Sequence, residues 1–246
     1  MSPLIERIDA AEAREPTLWY LGRRGFVLKH LSILFYLDPV LPAPLEAEDV
    51  WNADMILRTQ AADDTDDPTA TILPSSGHAK VLMPKSASDS FEAAGVALDR
   101  MTTTDADLRV EYFKNGQYAR IYSVPSAREG FDYTPLGGYP YLGYLIRFGR
   151  CTIYHPGAAK PYEGLADRLK PYNVTVALIP VGDGEFEAAE AAELAEAIRA
   201  EWLVPMNASA EQLNHFVDHM LGHRPAQKFK ILEVGEEWPV PHGQIS

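Results

Sequence analysis

Apolar residues in the first two-thirds of the chain come in short runs separated by glycine, proline or charged turns. That pattern predicts strands more often than helices. Residues 18–21, 25–28 and 32–37 read as successive strands, and 54–59 as another, followed by an acidic loop over 63–68. A strand over 80–83 leads to a short helix over 87–94 that Gly95 ends. Runs 110–113 and 119–124 flank Asn115-Gly116, a dipeptide that favours a tight hairpin turn. Runs 142–148 and 151–155 flank Gly149-Arg150 in the same way.

The last third alternates. A helix over 162–169 precedes a strand over 174–181, then an Ala/Glu-rich helix over 186–201. On that helix Phe186, Ala191, Leu194, Ala197 and Ile198 share one face, with Glu190 interrupting the stripe. A strand over 202–206, a helix over 210–221 stopped by Gly222 and a final strand over 228–234 complete the order. Two strand-rich halves that each gain helices predict an α/β fold, a four-layer αββα sandwich with helices on both outer faces. No repeat, low-complexity tract or linker interrupts residues 1–246, so a single domain is expected.

Composition narrows the function. With 246 residues, 46% of them hydrophobic, the chain can bury a sizeable core. A formal charge of −13 repels polyanions at long range. The densest basic pairs, Arg23-Arg24 and Arg147/Arg150, do not extend into a stripe, so no nucleic-acid partner is expected. The acidic first residues lack the apolar core of a secretion signal. The apolar runs near 31–37 and 174–181 are too short to span a bilayer. A cytoplasmic protein with no membrane partner is the expectation, and the lone Cys151 excludes an internal disulfide.

Several segments, taken in order, carry a resemblance. They are Leu18-Trp19-Tyr20-Leu21-Gly22-Arg23-Arg24-Gly25-Phe26, Tyr36-Leu37-Asp38-Pro39, and Asp54 through Thr65. Later come Leu142 to Ile146, Thr152-Ile153-Tyr154-His155-Pro156-Gly157, Val176 to Pro180, and Trp202-Leu203-Val204-Pro205-Met206. In this order the chain resembles the branch of the metallo-β-lactamase superfamily that contains the ascorbate-6-phosphate lactonases. The resemblance covers nearly the whole chain. It implies the αββα fold and a cleft in which imidazoles and carboxylates hold one or two metals that activate water.

Position by position, the same resemblance implies that the ligands are gone. Gln60, Ala62 and Thr65 stand in the histidine places of the first motif, where Asp64 alone keeps its identity. Arg128 occupies a place where relatives carry histidine, Ala158 replaces the bridging aspartate, and Asn207 replaces the last histidine. These seven former ligand positions leave no set of three good donors, so no metal and no cofactor is expected. Arg128 supplies a fixed charge that can substitute electrostatically for a cation but cannot generate hydroxide. An ion pair from Arg128 to Asp64 or Glu129 is expected for that reason.

Other candidates read more simply as structural. The acidic run Asp63-Asp64-Thr65-Asp66-Asp67 lacks the spacing of a calcium loop and suits a solvated, helix-capping segment. His215, His219 and His223 recur every four residues, away from the apolar face of their helix, with Gly222 expected to end the helix before His223. Cys151 reads as a buried structural thiol. His155 reads either as a family structural residue or, with Asp64 or Glu129, as an acid–base dyad.

The expectation is therefore a degenerate, catalytically inactive relative that binds a small ligand in the old cleft or pairs with a partner. That partner would be an active paralogue or another copy, giving a hetero- or homo-oligomer. The alternative is a hydrolase or lactonase working without the usual metals, with Asp64, Arg128 and His155 as the catalytic candidates.

Overall fold

A computed structural model describes residues 3–41, 51–61 and 67–241. One seven-stranded sheet contains β1 (Thr17–Gly22), β2 (Gly25–His30), β3 (Ile33–Leu37), β4 (Met55–Leu57), β5 (Lys80–Pro84), β6 (Met101–Thr104) and β14 (Glu237–Pro239). Its spatial order is β14-β1-β2-β3-β4-β5-β6. The second contains β7 (Arg109–Lys114), β8 (Gln117–Pro125), β9 (Leu142–Phe148), β10 (Cys151–His155), β11 (Val176–Pro180), β12 (Trp202–Met206) and β13 (Lys228–Phe229). Its order runs from β13 down to β7. Each sheet begins with antiparallel hairpins and continues into parallel strands. The parallel strands need crossovers, which several of the helices supply.

Strand alternation explains the layers. In β2 and β3, Phe26, Leu28, Ile33, Phe35 and Leu37 face the space between the sheets. They meet Tyr144, Ile146 and Phe148 of β9 there. The intervening Val27, Leu34 and Tyr36 turn to the opposite face. They pack there with α1 (Pro3–Ala10), α2 (Thr69–Ser75) and α3 (Ser88–Ala93) through Ile5, Ile8, Ile72, Leu73 and Phe91. On the far side, Leu145, Ala177, Ile179 and Leu203 pack under α4 (Leu165–Leu169), α5 (Ala188–Ala197) and α6 (Ala210–His223). Three apolar interfaces thus separate four layers, the expected αββα sandwich.

Several elements differ from the sequence pattern. The expected strand over 228–234 pairs only at Lys228–Phe229. The sheet edge beyond β1 is closed instead by β14, where Trp238 is buried against Leu18. Helix α2 contains Pro74 and has no periodic stripe. Tertiary contacts support it: Ile72 and Leu73 are buried, and Arg100 donates to the carbonyls of Leu73 (2.7 Å), Ser76 and Ala79. Lys29 caps α1 in the same manner, its Nζ donating to the carbonyls of Ile8 (2.7 Å) and Asp9 (2.8 Å). Helix α5 is shorter than expected at both ends, while α6 runs through Gly222 to include His223.

Candidate functional site

The carboxyl ends of the central strands of both sheets, with the β1–β2 turn, bring together Arg24, Asp38, Arg58, Thr59, Gln60, His155, Gly157, Glu185 and Asn207. This is the place where the resemblance puts the metal cleft. Ala62, Asp64 and Thr65 lie outside the described residues.

Asp38 follows β3 with a left-handed backbone (φ 37°) and is buried. Its Oδ1 accepts from the Thr59 amide (2.9 Å) and its Oδ2 from the Thr59 hydroxyl (2.5 Å). Arg58 Nε stands 3.8 Å away. The same guanidinium reaches Asp67 at 2.8 Å, and all three side chains are buried. Burial alone would raise the Asp38 carboxyl, but the Arg58 charge and the Thr59 bonds outweigh it and hold the group below its ordinary value. Asp67 also accepts from the Thr69 amide (2.9 Å) and hydroxyl (2.6 Å) at the start of α2. This one described aspartate of the acidic run thus organises a helix start.

His155 ends β10 and is 1% exposed. Its Nε2 lies 2.7 Å from the Arg24 carbonyl, and its Nδ1 accepts from the Gly157 amide at 3.2 Å. That pairing is assigned to the neutral tautomer with the proton on Nε2, because only then are both contacts hydrogen bonds. Burial depresses the imidazole below its ordinary value, against the pull of Asp38. Both ring nitrogens are therefore committed to backbone. Gly157 (φ 72°) admits no side chain, since a Cβ would lie 2.3 Å from Thr59 Oγ1. Thr59 thus locks the β10 turn against the loop after β4.

Asn207, after β12, also has a left-handed backbone (φ 55°). Its amide donates to the Arg23 carbonyl (2.8 Å), and its Nδ2 donates to Glu185 Oε2 (2.9 Å). The Gly182 amide donates to the same oxygen (3.3 Å), and Arg24 stands 3.5 Å from Oε1. Burial raises the Glu185 carboxyl above its ordinary value, opposed by Asn207, Arg24, Gly182 and Arg128. Sequence reasoning missed Glu185 and Arg24. Neither occupies a ligand position, and they are brought together across 161 residues.

Gln60 and Ala158 are buried. Ser126 Oγ donates to the Pro156 carbonyl (2.9 Å), and the Lys160 amide to that of Ala127 (2.7 Å), binding the loop after β8 to the one after β10. Arg128 is exposed, with its guanidinium 5.5 Å from the Tyr141 ring centroid. No ion pair links it to Glu129 among the described residues, and Asp64, the other expected partner, lies outside them. Glu129 is exposed, where an ion pair gains little over solvation.

The described donors do not fit a divalent metal. No group of three or more His, Cys, Asp or Glu side chains converges among the described residues. The nearest candidates, Asp38, His155 and Glu185, are each engaged by protein donors or acceptors. On α6 the rings of His219 and His223 stack at 4.7 Å, and His223 is helical, not beyond the helix end. Cys151 is 1% exposed, and burial pushes its thiol up to about 12, which suits a structural role. No described helix is long and apolar enough to cross a membrane.

No family model matches the sequence, and no curated protein does. Solved structures do. Igni18, a metallo hydrolase from Ignicoccus hospitalis KIN4/I, is 19% identical, with a TM-score of 0.72 over 91% of this chain and 97% of that one. The metallo-β-lactamase-fold protein YhfI from Bacillus subtilis is 12% identical, with a TM-score of 0.63 over 91% and 99%. CmlA, a diiron β-hydroxylase from Streptomyces venezuelae, is 17% identical, with a TM-score of 0.68 over 91% of this chain and 53% of that one. The fold is thus that of the metallo-β-lactamase hydrolases. Because that fold also carries a hydroxylase, chemistry must be argued from the site.

Proposed function

We propose that this protein is a degenerate relative of the lactonase-like branch that works by binding and has given up metal-assisted hydrolysis. The observation that supports this reading most is the Asn207–Glu185–Arg24 cluster. Where the resemblance places the last metal ligand, an amide instead donates to a carboxylate that an arginine already balances. A cluster of this kind gives the carboxylate protein donors on Oε2 and an arginine beside Oε1, without a cation. His155 supports the same reading, since a ligand or a general base needs a free ring nitrogen. The alternative, a metal-independent hydrolase acting through Asp64, Arg128 and His155, draws less support for the same reason.

What is bound would be a partner protein, either an active paralogue or another copy of this chain, or a small molecule held at the former cleft. The test is metal analysis of protein purified without chelator. Zinc, manganese and iron should each be far below one ion per chain. One full equivalent that disappears in an Asp64→Ala variant would overturn the reading.

A further inference from the structure

The β7–β8 hairpin carries a surface whose charge opposes that of the chain. β7 is the terminal strand of its sheet. The turn Asn115-Gly116 makes Lys114 and Gln117 the hydrogen-bonded pair that closes the hairpin. Alternation then leaves the amides and carbonyls of Arg109, Glu111 and Phe113 pointing away from β8. The side chains of these three residues are all exposed, whereas Val110 and Tyr112 turn inward against the core between the sheets. Among the described residues no strand pairs with this edge, which therefore alternates polar and apolar faces.

The outer face is basic and aromatic. Phe113 is 69% exposed and lies opposite Tyr118, over which Arg120 places its guanidinium at 4.9 Å. Arg120 is in register with Arg147 of β9, and Arg150 follows in the next turn. Against Arg109, Arg120, Arg147 and Arg150 stands Glu111, shared by Arg109 (3.3 Å) and Arg120 (3.9 Å). Asp107, at the start of the edge, is taken by Arg168 (3.1 Å). The net charge here is positive, although the whole chain carries −13.

We propose that this edge docks an extended acidic segment of another protein, which adds to β7 as a further strand. Its carboxylates would share the outer face with Arg109 and Arg120, and its alternate apolar residues would extend the inner face of Val110 and Tyr112. A second copy carries the same net positive face and so brings no excess of carboxylates to it. A long polyanion would feel the net negative charge of the whole chain, whereas a short segment responds to charges within about 10 Å.

The probe is a labelled, end-blocked peptide of alternating Glu and Val, titrated against the full chain by fluorescence anisotropy. Binding should saturate and should weaken about tenfold in an Arg109→Glu/Arg120→Glu variant shown by circular dichroism to be folded. It should tighten in Glu111→Gln, which removes a carboxylate that competes for Arg109 and Arg120. A peptide N-methylated at its Glu residues should not bind, because those are the amides that would donate to the β7 carbonyls. Failure to bind, indifference to the substitutions, or equal binding of the methylated peptide overturns the proposal. Tighter binding of a single-stranded oligothymidylate than of the peptide also overturns it, by making the face a nucleic-acid platform.

Discussion

Replacing Arg58 with methionine tests the electrostatics at the carboxyl ends of β3 and β4. The guanidinium lies 2.8 Å from Asp67 and 3.8 Å from Asp38, and none of the three side chains is more than 9% exposed. The methionine side chain would keep much of the packing near Phe91, whose ring centroid is 5.9 Å from the Arg58 guanidinium carbon. It would leave two buried carboxylates without their cation. Removing one partner from a buried ion pair costs about 3–5 kcal/mol. For a domain of this size the melting temperature should fall by about 10 °C. The pH dependence separates charge from packing. In the wild type the depressed Asp38 value stabilises the fold above the unfolded aspartate value of about 3.9. That contribution is lost as pH falls through the lower folded value. In Arg58→Met, burial is opposed only by the Thr59 bonds and His155, so the Asp38 value should rise; the deficit should be largest near neutrality and shrink as the carboxyl takes up a proton in acid. Urea unfolding of both proteins near pH 7 and near pH 5 measures this. A deficit under about 1 kcal/mol that does not change with pH would mean that solvent screens the cluster, and the argument would fail.

Three further outcomes are expected. Glu185 has a raised folded value, so its stabilising contribution is complete below the ordinary glutamate range and is lost as pH rises through the folded value; Glu185→Gln should flatten that limb in pH-dependent unfolding. Restoring Gln60→His, Ala62→His, Thr65→His, Ala158→Asp and Asn207→His together should recover metal binding, read by calorimetry, while one or two of them alone should not; a folded fivefold variant without metal would show that the loop geometry has diverged. Cys151 should resist a thiol reagent in the native protein and react on unfolding in urea, and rapid stoichiometric labelling of native protein would contradict its burial.

Much of the architecture was legible in order and period. Alternating runs such as Phe26-Val27-Leu28 and Leu34-Phe35-Tyr36 have one face for the core between the sheets and one for the helices, and those are the faces they bury. Asn115-Gly116 and Gly149-Arg150 make the hairpin turns they suggest, because they supply the positive φ such turns require. Elements held up from outside were not legible. Helix α2, with Pro74 inside it, depends on Arg100 and on buried Ile72 and Leu73, and β14 depends on pairing with β1. Short segments carry too little pattern of their own to declare themselves. The resemblance located the cleft by strand order and marked Gln60, Ala158 and Asn207 as poor ligands. What those side chains contact was decided only in three dimensions. Asn207 joins Glu185 and Arg24, His155 gives both nitrogens to backbone, and Arg128 turns to Tyr141 and not to Glu129. Hydrogen bonds and ion pairs form with whatever the fold brings within about 3–4 Å, and distance along the chain does not encode that proximity.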